Sequence, residues 1–264
     1  MSQKPPPKQF VKTPISGTKH TLLVSSAKGG VGKSTVAVNL AFALQRLGLK
    51  IGILDADVYG PSLPKLMNMN EKPKSEDGKA IMPVTKYDAQ CMSMGLLVDE
   101  LTPMIWRGPM VISAIKTMTQ KVLWKDRDII VIDMPPGTGD TQLTFAQEIK
   151  VDGAIIVSTP QDLALLDVKR GIQMFEKTGV KILGLIDNMS YFKGDDGKEY
   201  KIFGESRVKK TAEEFKKEFL GHLPLHQDLR ISADKGEPLA HSDPNHEVSL
   251  LFKKIAERIK QSFQ

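Results

Sequence analysis

Ser25-Ser26-Ala27-Lys28-Gly29-Gly30-Val31-Gly32-Lys33-Ser34-Thr35 is the stretch that decides the fold of this chain. Before it, Thr21-Leu22-Leu23-Val24 reads as a short buried strand, and after it Val36 to Leu47 reads as a helix. A glycine-rich turn between strand and helix lets the backbone curl until its N–H groups point at phosphate oxygens, in line with the positive end of the helix. Gly29, Gly30, Val31 and Gly32 supply that backbone, and Ser34 and Thr35 end the nucleotide-binding loop just before the helix. Lys33 is placed to reach the β- and γ-phosphates of a nucleotide, and the Ser34 hydroxyl to ligate Mg²⁺. The usual G-x-x-x-x-G-K-[ST] pattern has glycine where this chain has Ala27, and Lys28 is a cation that the ordinary loop does not need.

Further along, Lys50-Ile51-Gly52-Ile53-Leu54 reads as a second buried strand ending at Asp55, and Asp128-Ile129-Ile130-Val131-Ile132 as a continuous β-branched one. Gly153 to Val157 and Lys181 to Ile186 are two more. Between them, Leu163 to Lys177 is expected to be a helix with Asp162 as its N-cap, and Met110 to Leu123 also has helical spacing. Gly60 to Gln90, rich in Pro, Lys and Asn, reads as surface loop and short helix. Short Ile/Val-rich runs alternating with helices predict an α/β fold, a doubly wound and mostly parallel sheet with helices on both faces. With no repeat and no linker, the expected organisation is a flexible polar tail over 1–18 and a single domain over 19–264.

The 264 residues, 41% hydrophobic and 26% charged, suit one large α/β domain. No apolar run is long enough for a transmembrane segment. Residues 1–19 have neither the apolar core of a secretory signal nor the Arg-rich pattern of a mitochondrial presequence. A cytoplasmic location is therefore expected, with the mitochondrial matrix as the alternative. The single cysteine, Cys91, excludes an intramolecular disulfide, fits a reducing compartment and reads as a small buried apolar residue. The net charge of +6 permits nucleic-acid or anionic-lipid binding, but the lysines are interspersed with acids. Lys209 to Lys217 reads as a solvated helix face, and no nucleic acid is expected as a partner.

In a sheet of this kind, ligands bind beyond the carboxyl ends of the strands. One strand ends in Asp55-Ala56-Asp57 and another in Asp133-Met134-Pro135-Pro136-Gly137. Asp133 suits a Mg²⁺-associated carboxylate, Asp55 a position near the same metal, and Asp57 the orientation of an attacking water. Gly137 offers a backbone N–H expected to be free for the γ-phosphate and able to register its loss.

Lys28 to Thr35 resembles the deviant phosphate loop of the ParA/MinD class of dimerising ATPases. Leu54 to Ser62, Arg107-Gly108-Pro109-Met110, Asp133 to Asp140 and Asp187-Asn188-Met189-Ser190-Tyr191 narrow the resemblance to the Mrp family of iron–sulfur cluster carrier ATPases. It runs from about Lys19 to the C-terminus. The resemblance implies a slow ATP hydrolase using Mg²⁺ and working as a homodimer that sandwiches two ATP molecules. Lys28 would then reach across to the partner's nucleotide, and Asn188 and Pro224 would contact adenine. Iron–sulfur apo-proteins or assembly partners are the implied clients.

The family also implies a [4Fe–4S] cluster, held by two subunits through a Cys-x-x-Cys pair just after the Asn-Met-Ser-Tyr-Phe phrase. Here the matching stretch is Lys193-Gly194-Asp195-Asp196-Gly197, and both thiolates are missing. A homodimer would hold only two cysteines, both Cys91, whereas such clusters take thiolates, usually four. Asp195-Asp196-Gly197 reads as a polar hairpin turn. Three accounts stay open: an assembly factor whose thiolates come from a partner, a nucleotide-switched scaffold without a cluster, and a positioning ATPase on a membrane or DNA. For the last, Val248, Leu251, Phe252, Ile255, Ile259 and Phe263 form an apolar stripe flanked by lysines, which is either a membrane-surface helix or a closing helix on the sheet.

Overall fold

The computed structural model describes residues 12–76, 80–97 and 108–264. In chain order the elements are β1 (Thr18–Ser25), α1 (Lys33–Arg46), β2 (Ile51–Asp55), α2 (Leu63–Leu66), β3 (Ser75–Glu76), β4 (Ala80–Ile81), β5 (Val84–Lys86), β6 (Ala89–Ser93) and α3 (Gly108–Gln120). They continue with β7 (Arg127–Asp133), α4 (Asp140–Glu148), β8 (Gly153–Ser158), α5 (Asp162–Lys177), β9 (Ile182–Asp187), β10 (Phe192–Lys193) and β11 (Glu199–Tyr200). The chain closes with α6 (Val208–Glu214), β12 (Phe219–His222), α7 (Gln227–Lys235), α8 (Leu239–Ser242) and α9 (Glu247–Gln261).

Eight strands form one sheet in the order β12-β9-β8-β1-β7-β2-β6-β5, parallel throughout except for the edge strand β5. Its central strands are buried on both faces, so successive side chains sink alternately into two cores. Leu22 and Val24 of β1 join Ile129 and Val131 of β7 in the layer filled by α1 and α9. Leu23, Ile130 and Ile132 point into the opposite layer, with Val111 and Ile115 of α3 and Phe175 of α5. This is the doubly wound sheet expected from the sequence.

The structure adds to the sequence reading at several points. The Gly60–Gln90 stretch is not only surface: β5 lies within it, and β6, which starts there, pairs in parallel with β2. Ala89-Gln90-Cys91-Met92-Ser93 has no β-branched residue, yet Cys91 and Met92 fill opposite cores, so tertiary pairing overrides a weak local preference. The N-cap of α5 is Gln161, with Asp162 already helical. The ordered domain begins before residue 19: Ile15 is buried, and Thr13 exchanges backbone bonds with Glu148 and Lys150. Residues 1–11 of the expected tail, and Arg107 of the Arg-Gly-Pro-Met phrase, lie outside the described residues. Of the two readings of the C-terminal stripe, the structure shows the closing helix: Val248, Phe252, Ile255 and Ile259 of α9 are buried beside α1, with Leu251 and Phe263 packed partly buried against the same core. Among the described residues no helix is long and apolar enough to cross one.

Candidate active site

The loop after β1 starts α1 in an unusual way. Gly32 is the N-cap, at φ 77°, and no side chain caps the helix; its first turn holds no acid. The Val36 amide is the first paired within the helix, to Gly32 O at 3.0 Å. The N–H groups at the start of α1 therefore have no internal acceptor, which is the condition for anion binding at a helix start. A Cβ at position 32 would lie 2.4 Å from Nδ2 of Asn188, so both the left-handed backbone and the close approach require glycine. Gly30 is also left-handed, and with Gly29 it is exposed.

Below the loop, β2 and β7 lie side by side with Asp55 and Asp133 in register at their ends. The Lys33 ammonium is buried and paired with Oδ1 of Asp133, with the Ser34 hydroxyl 3.4 Å from Nζ. Burial pushes the Asp133 carboxyl above its usual range, while the Lys33 cation pulls it back. Asp55 is pushed up to about 7, first by burial and then by the charge of Asp133. It takes four donors: the Asp57 amide on Oδ1, and the amides of Ser62 and Leu63 and the Ser93 hydroxyl on Oδ2. These donors tie the 57–63 loop to β6 through Asp55, with three of them on Oδ2 and one on Oδ1.

Asp57 accepts the amides of Tyr59 and Gly60 on Oδ1, each at 3.2 Å. With Pro135, Pro136, Gly139, Thr141 and Gln142 it lines an open pocket of about 320 Å³ at the strand ends. Gly137 departs from expectation. Its N–H donates to the Ser26 carbonyl at 2.9 Å, because a loop amide beside a strand end takes the nearest free carbonyl. Sequence reading missed Gln142, which is buried: it accepts from the Ser25 hydroxyl and donates to the carbonyls of Pro135 and Ser26. It bolts the Pro135–Pro136 turn to the phosphate loop, and only its burial in a polar setting reveals it.

Asn188 follows β9 and donates from Nδ2 to the Val31 carbonyl at 2.8 Å. Its Oδ1 is buried with no donor among the described residues. Pro224 is buried in the segment Leu223–Leu225, which is tied to Asp187, Ser190 and Tyr191 by backbone bonds. Lys28 stands apart. It is half-buried, and among the described residues its ammonium has no hydrogen-bond or ion-pair partner.

A family model described as the ParA family's NUBPL iron-transfer P-loop NTPase matches residues 17–260. The chain belongs to that family. An iron–sulfur protein required for NADH dehydrogenase, from Arabidopsis thaliana mitochondria, is 49% identical over 93% of this chain and 79% of its own length. The iron–sulfur cluster carrier protein of Escherichia coli is 48% identical over 93% of this chain and 67% of its own length. Among solved structures, an Archaeoglobus fulgidus nucleotide-binding protein in complex with ADP superposes with a TM-score of 0.75 at 36% identity, over 85% of this chain and 89% of that one. The cell-division ATPase MinD of Pyrococcus furiosus shares the fold, with a TM-score of 0.68 at 20% identity.

The segment after Asn188, where the resemblance implies a thiolate pair, holds no cysteine. β10 and β11 pair as a hairpin, closed by Gly197 N donating to Gly194 O at 2.9 Å, with Gly197 left-handed at φ 76°. Asp196 accepts the Lys198 amide and the Tyr200 hydroxyl, which hold its carboxyl below the usual range. A three-residue loop with a left-handed glycine is ordinary turn chemistry, as expected. Cys91 is no substitute. It is wholly buried in β6, and burial pushes its thiol up to about 12. Five strand spacings separate β6 from β9, where the hairpin starts, or about 24 Å. The residues present do not fit a thiolate-held cluster.

Proposed function

We propose that this protein is a slow, Mg²⁺-dependent ATP hydrolase that works as a nucleotide-sandwich homodimer in iron–sulfur cluster assembly, with any cluster thiolates supplied by a partner. The observation that supports this best is the buried Lys33–Asp133 pair beneath a helix start whose amides lack acceptors among the described residues. Lys33 leaves Asp133 for the phosphates when nucleotide enters. Asp133 and the Ser34 hydroxyl would then be free to hold Mg²⁺, which would supply charge neutralisation to the phosphates.

The amides of Gly29 to Thr35 cradle the phosphates. Asp57, fixed through Oδ1, turns its other oxygen to the attacking water. That water forms the new bond to the γ-phosphorus as the bond to the β-bridging oxygen breaks. Oδ1 of Asn188, a buried acceptor without a donor, suits the adenine amino group, with Pro224 beside it. Lys28, unpartnered in one subunit, supplies its charge to the nucleotide of the other.

The test is ATP turnover with Mg²⁺, measured against chain concentration. A rate per chain that rises with concentration, and is lost in Lys33→Ala, agrees with this reading. Turnover that is absent, or unaltered in Lys33→Ala, overturns it.

A further inference from the structure

Away from the phosphate loop, the starts of α7 and α9 meet. Among the described residues, His226, Asp228 and His246 are the one group whose ligand atoms converge as a metal site would need, all within 4.8 Å of one another. Nε2 of His246 lies 3.2 Å from Oδ2 of Asp228, and Nδ1 of His226 lies 3.8 Å from the same oxygen. The imidazole rings stand nearly perpendicular, with centroids 4.9 Å apart, so their nitrogens converge without stacking. Both histidines are about four-fifths buried, and the opening faces Asp228, which is half-exposed.

We propose that His226, His246 and Asp228 bind a divalent transition-metal ion, with zinc or cobalt as the matching chemistry. Two imidazoles and one carboxylate are borderline donors that suit such ions and leave positions open for water. The surroundings supply what such a site usually has. Nε2 of His226 lies 3.4 Å from Glu247, whose other oxygen is held by Lys193 at 2.8 Å. A ligating histidine whose second nitrogen donates to a carboxylate is oriented and made more basic. Two features oppose binding and hold the affinity to a moderate level. Nδ1 of His226 and of His246 accept the amides of Asp228 and Val248, at 3.2 and 3.1 Å, and those cap bonds are given up to the ion. The positive ends of α7 and α9 also face the site, offset by Asp228 and Glu247 in their first turns. Lys193 belongs to the hairpin that lacks thiolates, so metal occupancy would tie that hairpin to α9 through Glu247. The proposal does not depend on ATP hydrolysis.

The test is a titration of the EDTA-stripped, dialysed full chain with Co²⁺ alone, without nucleotide, read by visible absorption and calorimetry. One equivalent per chain is expected, unaffected by excess Mg²⁺, which favours oxygen donors. Affinity should fall at least about tenfold in Asp228→Asn and in His246→Gln, and about tenfold in Glu247→Gln, which alters only the outer support. Asp228→Asn keeps both histidine caps, and an unchanged Tm in EDTA confirms that it folds. Zn²⁺ should raise the Tm of the wild type but not of Asp228→Asn. Wild-type binding no tighter than that of Asp228→Asn and His246→Gln, or absent, overturns the site.

Discussion

The phosphate loop and the β10–β11 hairpin both follow strands of the same sheet, and they differ in almost every physical respect. Around the loop, several charged and amide groups are buried with definite partners, as with Lys33 and Asp133 or Asn188 and Val31. The groups left without partners there, Oδ1 of Asn188 and the Lys28 ammonium, face a nucleotide in this subunit or the next under the proposed function. At the hairpin, Asp195, Asp196 and Gly197 are exposed, and the polar groups of Asp196 are used up within the turn itself. Burying polar groups is costly unless a function or a full set of bonds compensates, whereas an exposed turn needs no such compensation. A buried polar motif at a strand end and an exposed turn thus carry very different amounts of functional information.

The comparison breaks if Lys33→Ala leaves ATP turnover intact. The expected loss is on the order of 10²–10³-fold in kcat, as for removal of a central electrostatic contact to the transition state. Lys28→Ala should have a smaller effect, roughly tenfold or more, and its signature is specific: turnover per chain loses its dependence on concentration, as measured by steady-state assay over a dilution series. In Asn188→Ala the ATP dissociation constant should rise by about tenfold, the equivalent of one buried hydrogen bond, in a calorimetric titration. The smallest effect sharpens the other side of the comparison. With its thiol pushed up to about 12, Cys91 has almost no thiolate near neutral pH, so native protein should resist iodoacetamide and react only once unfolded. Mass spectrometry of the labelled chain reads this directly.

Much of the fold was legible because its central strands are continuous Ile/Val/Leu runs, from Leu22 to Val24 and from Ile129 to Ile132, and each ends in a polar residue where ligands bind. The phosphate loop was legible because its glycines and lysines sit next to one another in the chain. What escaped depends on distant neighbours. β6 becomes a strand only by pairing with β2, and the donors that Ser62, Leu63 and Ser93 bring to Asp55 come from outside its own strand. Gln142 bolts two loops together across more than a hundred residues, and His226 meets His246 only when α7 and α9 are brought start to start. No local pattern announces such contacts.

Anaerobic reconstitution with iron and sulfide, followed by iron and labile-sulfide analysis, tests most directly whether this chain holds no cluster of its own. The wild-type chain should retain no stoichiometric cluster, and a Gly194→Cys/Gly197→Cys chain, with thiolates restored at i and i+3, should retain about four irons per dimer. A wild-type chain that alone retains a stoichiometric cluster would contradict the account.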